Sequence, residues 1–330
     1  MSESSSFVIV DELEFEKIID KNAKIEKIAG DFWFTEGPSW TDHEGGFLVF
    51  SDIPNSRMHR WSRANGLSVF REPTAETNGN TRDNDGRLIS CEHSGRRVAR
   101  EDGHGGLVTI VDQFLGKKLN SPNDVVVAQD GSIWFTDPPY GLFGLSIFGD
   151  QTGGSNGQPK PPVEVGRELD RNHVFRFDPK TNHLASVADD FDGPNGLCFS
   201  PDGKFLYVSD TGAPRHIRRF TVTADNVLSG GRVFCEIGNG APDGIRCDSD
   251  GRLWSSAGDG VHIFGTDGHL IGRIVTPIAP SRRYPAVRAP ETVANLCFGG
   301  SGGNWLFMTA CTSLYALPVR VRGATQGRTG

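Results

Sequence analysis

The sequence contains no C-x-x-C pair, and its cysteines (Cys91, Cys198, Cys235, Cys247, Cys297 and Cys311) lie scattered in apolar stretches such as Leu197-Cys198-Phe199. They read as reduced thiols packed in a core. The 9 histidines form no H-x-H or H-E-x-x-H cluster, which excludes a zinc hydrolase of the usual kinds. No long basic run is present, and 41 acidic against 34 basic residues leave a net charge of -7, so a nucleic-acid partner is excluded. No apolar stretch reaches the roughly 18 residues of a membrane span, and Met1 to Phe15 lacks the basic flank and apolar run of a signal peptide. The expectation is a soluble, cytoplasmic protein without a membrane partner. No glycine-rich fingerprint lies between a strand and a helix, which excludes a nucleotide cofactor.

What is abundant is glycine (42), proline (19) and phenylalanine (21), a composition that disfavours long helices and suits thin sheets filled by aromatics. The chain also repeats itself. Pro122-Asn123-Asp124-Val125 leads to Asp130-Gly131 and a second apolar run, Pro194-Asn195-Gly196-Leu197 leads to Asp202-Gly203, and Pro242-Asp243-Gly244-Ile245 leads to Asp250-Gly251. Weaker copies begin at Glu36, Asn78 and Ala294. Each copy reads as strand, tight two-residue Asp-Gly hairpin, strand. Further strands at His173–Phe177 and His216–Phe220 complete four-stranded units. Evenly spaced units of this size predict an all-β, six-bladed β-propeller, since a β-sandwich has no reason to repeat. Closing the ring calls for a strand near Lys24 to Ala29 to join the last blade, because an open ring leaves sheet edges exposed. The domain layout is an N-terminal extension (1–24), one propeller domain (25–320) with an insert at 138–170, and a C-terminal tail (321–330).

In a propeller the innermost strands line the channel, so equivalent positions of successive repeats converge on the axis. The occupants here are Glu36, Asn78, Asn123, Asn195, Asp243 and Ala294. Two carboxylates and three carboxamides make a ring of oxygen ligands suited to a hard cation such as calcium. Asn and Asp before Gly are also common turn formers, but turns alone do not place an oxygen side chain at five of these six equivalent places.

The motifs Thr35-Glu36-Gly37-Pro38, Pro122-Asn123-Asp124, Gly193-Pro194-Asn195-Gly196 and Ala241-Pro242-Asp243-Gly244 resemble those of the senescence marker protein, gluconolactonase and luciferin-regenerating enzyme family, from about Ile25 to Leu317. The resemblance implies a six-bladed propeller with one divalent metal in its channel, most often Ca2+, with Zn2+, Mg2+ or Mn2+ as alternatives. It implies Glu36, Asn195 and Asp243 as ligands, and Asn123 as either a further ligand or a substrate-binding residue. It also makes Asp243 the candidate catalytic base, and a sugar lactone the substrate. Asn78 and Asp137 are further substrate-binding candidates, Asp137 being equally readable as a strand-end turn residue before Pro138. The Gly- and Pro-rich insert is closer to bacterial and fungal gluconolactonases than to animal members, and is expected to cover the channel mouth and help select the substrate. Alternatives to the lactonase reading are a calcium-dependent phosphotriesterase, another lactonase, or a non-catalytic ligand-binding propeller.

Two further matches are set aside, and one pair is left open. Gly299-Gly300-Ser301-Gly302-Gly303 fits a nucleophile elbow as letters, but a strand and not a helix follows. Thr81 to Glu92 imitates an EF-hand loop without the first acidic ligand and between strands. Glu92 and His93 are read either as facing the channel mouth or as solvated loop residues.

Overall fold

The computed structural model describes residues 6–148, 165–280 and 288–324, with the side chains of 145–148 and of Pro280 left aside. Its main body is six antiparallel sheets of four or five strands, each a propeller blade. Blade one runs from Thr35–Thr41 through Phe47–Asp52 and Arg57–Ser62 to Gly66–Arg71. The inner strands of blades two to six are Thr77–Arg82, Val125–Val127, Pro194–Phe199, Ile245–Cys247 and Asn295–Gly299.

Each blade is sandwiched between two others, so its strands bury both faces, and the apolar residues fall into six clusters that map onto the six interfaces between blades. Val126 and Trp134 of blade three meet Leu197 and Val208 of blade four, for example. Trp40 stacks on Phe307 across the junction of blades one and six with ring centroids 5.3 Å apart. The smallest cluster, Phe47, Val49, Met58 and Leu88, lies between blades one and two.

The ring closes as expected: Glu26–Ala29 pairs antiparallel with Ser313–Pro318 and supplies the outer strand of blade six. The segment before it is bound to the propeller as well. Phe7–Ile9 adds a fifth strand to blade five, and the short helix Glu12–Ile18, capped by Asp11, buries Phe15 and Ile18 against that blade and blade six. Residues 1–5 and 325–330 of the proposed extension and tail lie outside the described residues, as does 149–164 of the insert.

The hairpins at the Asp-Gly pairs are longer than the two-residue turns expected. Ala128 pairs with Ser132 and Asp83 with Arg87, each across a three-residue loop whose last member is the glycine, at φ 86° for Gly131 and 81° for Gly86. Only the glycine needs positive φ, while the preceding aspartate uses its carboxylate to accept backbone N–H groups, as Asp130 does from Ser132. This is a type I turn closed by a left-handed glycine. The EF-hand look-alike is one such turn. Asp83 accepts from the backbone of Asp85 and Arg87 and pairs with the Arg87 guanidinium, while Glu92 is held by Arg97. Gly300 to Gly303 is likewise a hairpin turn between strands. All the cysteines are free, and all but the half-buried Cys311 are buried.

Candidate active site in the channel

The inner strands bring five of the sequence-predicted residues together. Glu36, Asn78, Asn123, Asn195 and Asp243 line one cavity of about 180 Å³, joined by His93, Tyr140 and Thr211 and by the apolar side chains of Phe34 and Ile53. All five predicted residues are buried or nearly so. They do not lie in turns. Four of the five are followed by glycine because the next blade presses against that point. A Cβ on Gly37 would stand 2.1 Å from the Asn78 carbonyl oxygen, and one on Gly196 would stand 2.2 Å from that of Asp243. Hydroxyls on second strands complete the join: Ser51 donates to the Asn78 carbonyl, Thr136 to that of Asn195 and Ser209 to that of Asp243. The backbone of each of these site residues is thus fixed by the preceding blade.

The same step of the repeat holds glycine in four blades, but Asp124 in blade three and Asn295 in blade six, which face each other across a six-membered ring. Where the other blades have no side chain, these two fill the channel beneath the site. Asn295 donates its amide to Glu36 Oε2 at 2.9 Å, and the Gly37 N–H donates to the same oxygen at 2.7 Å. Asp124 is fully buried and accepts from Arg246 Nη1 at 3.2 Å. That ion pair joins residues 122 positions apart.

Two acids sharing one buried site are hard to ionise. Burial, with the nearby Asp124 charge adding to it, pushes the Glu36 carboxyl up to about 7. Burial, then the charges of Glu36 and Asp124, drives Asp243 well above the usual carboxylate range, although the Asn195 amide donates to it. Asn78 Oδ1, Asn195 Oδ1 and Asp243 Oδ1 are buried without a hydrogen-bond partner. Unpartnered buried oxygens are costly and call for an explanation. An all-oxygen set of two carboxylates and up to three amides is the donor chemistry of a hard divalent cation. Among the described residues no group of three or more His, Cys, Asp and Glu side chains stands together, so any cation here would depend on the amide oxygens as well as the two carboxylates.

Asp137 is not among the cavity residues. Its buried carboxylate accepts the Asn120 backbone N–H at 2.8 Å, and Asp52 and Asp210 do the same for Trp33-Phe34 and Asp192-Gly193. These three aspartates end second strands and tie down the segments leading to Asn123, Glu36 and Asn195; Asp137 thus braces the site from outside the cavity lining, with its Oδ1 buried and unpartnered. Burial pushes its carboxyl up to about 7. The sixth predicted ring position, Ala294, offers no oxygen side chain, and its carbonyl is taken by Gly244 N–H and Ser256 Oγ.

His93 faces the cavity, settling the choice the sequence left open. Its Nε2 lies 3.1 Å from Asn78 Nδ2, and burial lowers its pKa to about 4, so the ring is neutral and accepts from the amide. That contact turns Asn78 Oδ1 toward the cavity. Sequence reading missed Asn295, Arg246, Tyr140 and Thr211, none of which occupies the repeated ring position.

Residues 34–312 match the model of the SMP-30/gluconolactonase/LRE-like region. The gluconolactonase of Zymomonas mobilis is 30% identical over 94% of this chain and 84% of its own length. The solved gluconolactonase XC5397 of Xanthomonas campestris is 36% identical and superposes with a TM-score of 0.78 over 94% of each chain. A structure provisionally described as a gluconolactonase superposes at 0.82, with 35% identity over 97% of this chain and 100% of that one. The chain therefore belongs to the SMP-30/gluconolactonase/LRE-like family.

Proposed function

We propose that this protein is a lactonase that opens sugar lactones of the gluconolactone type with the help of one divalent cation, preferentially Ca2+, held by Glu36, Asn195 and Asp243 with Asn123 beside them. The observation that carries the reading is the convergence of these oxygens on one small cavity, with Asn78, Asn195 and Asp243 each leaving a buried oxygen unpartnered. The family's gluconolactonases supply the reaction. When bound, the cation would polarise the lactone carbonyl and acidify water.

The rest falls to the chain's own residues. Asp243, ionised only once a bound cation has displaced its proton, takes a proton from the attacking water as the new oxygen–carbon bond forms at C1. The C1–ring-oxygen bond then breaks, and the ring oxygen leaves as a hydroxyl by recovering a proton, which gives the open aldonic acid. Asn78 and Asn123 hold substrate hydroxyls, while Phe34 and Ile53 cover the apolar C–H face of the ring and exclude water. Asn295, by fixing Glu36, positions a ligand without touching substrate.

The test is hydrolysis of an aldonolactone panel, with a phosphotriester included, by protein that is metal-loaded, chelator-treated and reloaded. The proposal expects lactone hydrolysis that falls on chelation and returns with Ca2+. Chelator-treated, metal-free protein with full lactonase activity would remove the cation from the scheme. Turnover of the phosphotriester alone would move the substrate class.

A further inference from the structure

Tyr140 opens the insert between the second and third strands of blade three, far from the repeated ring position, yet it lines the cavity with Asp243 and Asn195. Two glycines are shaped around it. A Cβ on Gly193 would stand 2.4 Å from the Tyr140 hydroxyl oxygen. A Cβ on Gly141 would stand 2.7 Å from the Cβ atoms of both His93 and Ser121. Neither glycine needs positive φ, so what each makes room for is the descent of this turn onto the channel mouth. Ser121 anchors it by accepting the Gly141 N–H at 2.9 Å and donating to the Pro138 carbonyl at 2.6 Å, and Leu142 is buried below.

The phenol so delivered keeps hydrogen-bonding capacity on its acceptor side. Its hydroxyl reaches the Gly193 carbonyl only at 3.5 Å, the outer limit of a hydrogen bond. It also hydrogen-bonds the Thr211 side chain, whose hydroxyl donates to the Pro242 carbonyl at 2.6 Å, so the phenol donates in that contact and its lone pairs stay open to the cavity. Burial raises the phenol's pKa, with the Asp243 charge adding to it, so the group stays protonated. Asn78 Oδ1 in the same cavity is a buried acceptor without a donor.

We infer that Tyr140 is a specificity-determining residue: its hydroxyl hydrogen-bonds a free hydroxyl of the sugar lactone, so the insert's first turn distinguishes a polyhydroxylated lactone from a bare one. The inference rests on the lactonase reading. A largely buried phenol whose lone pairs face the cavity gains a hydrogen bond from a substrate hydroxyl and nothing from a C–H. The phenol takes no part in breaking the ester bond.

The experiment compares Tyr140→Phe with wild type, both loaded with Ca2+, on glucono-δ-lactone and on δ-valerolactone, the same ring without hydroxyls. The expected result is a loss of about tenfold in kcat/KM on the hydroxylated lactone, seen mainly in KM, and a change within about twofold on δ-valerolactone. Gly193→Ala, which crowds the phenol oxygen, should reproduce the selective loss, and in a Tyr140→Phe background it should cost little more. Melting temperature and calcium content report folding. Equal losses on both lactones, or no loss on either, overturn the assignment. A well-folded wild type inactive on both lactones would instead sink the lactonase reading itself.

Discussion

Calcium binding should be steeply pH-dependent in a range where ordinary carboxylates are indifferent. Glu36 titrates near 7 in the metal-free channel, and Asp243 holds its proton well above the usual carboxylate range. A cation must displace those protons, so affinity is lost as pH falls. Between pH 8 and pH 6 the Glu36 proton alone weakens binding about tenfold, and a proton on Asp243 through the whole interval would add up to about a hundredfold. The same shift has the opposite effect on the metal-free fold. A carboxyl whose folded pKa is raised stabilises the fold relatively at low pH and penalises it as pH rises from 4.5 through about 7, by roughly 3 kcal/mol for Glu36. His93, lowered to about 4, weakens the fold only as pH drops below 6.5, so stability is best compared above that value. The assay is isothermal titration of Ca2+ into chelator-stripped protein at pH 6, 7 and 8, in two buffers of different ionisation enthalpy to count protons released. Wild type should release between one and two protons at pH 6, and Glu36→Gln, weaker at every pH, should release about one fewer. A dissociation constant flat from pH 6 to 8 would refute the coupled, desolvated acid pair.

Asp243→Asn keeps an oxygen for the cation but cannot take a proton, so the calcium-loaded variant should turn over about 100-fold or more slowly, measured as kcat at saturating metal. Asp137→Ala should lower stability by about 1–3 kcal/mol through the stranded Asn120 N–H, while leaving KM within about twofold in the folded fraction. A large KM change with unaltered stability would return Asp137 to the substrate wall. Gly37→Ala forces a Cβ against the Asn78 carbonyl at φ 53°, which should cost roughly 2–3 kcal/mol in urea denaturation.

The propeller was legible because its signal is repeated. One apolar run is ambiguous, but Asn123, Asn195 and Asp243 each stand eight residues before a hairpin glycine, and the shared geometry follows from the shared spacing. The turn type was not legible, since an Asp-Gly pair suits both a two-residue turn and the end of a three-residue one, and only backbone pairing separates them. Asn295 escaped because it sits one residue beyond the repeated position, where four other blades carry glycine. Arg246 and Asp124 meet only through the curvature of the ring. Tyr140 belongs to an insert that obeys no repeat, and nothing in the motif Gly193-Pro194-Asn195-Gly196 tells that its first glycine makes room for that phenol. Asp137 kept two readings because a buried aspartate at a strand end looks the same in sequence whether it faces a ligand or braces a backbone.

The closure of blade six imposes an order on biosynthesis. Glu26–Ala29 leaves the ribosome long before its partner Ser313–Pro318 is made. At ordinary elongation rates the first strand waits roughly 15–60 s for its mate. Glu26 and Lys27 put charge on that waiting edge, a means of discouraging adhesion to another nascent chain. Blades one and five, which carry Glu36 and Asp243, stay on an open arc until the last sheet zips shut. A chain truncated before Ser313 would therefore carry every predicted ligand yet lack the closed ring that brings Glu36 to Asp243.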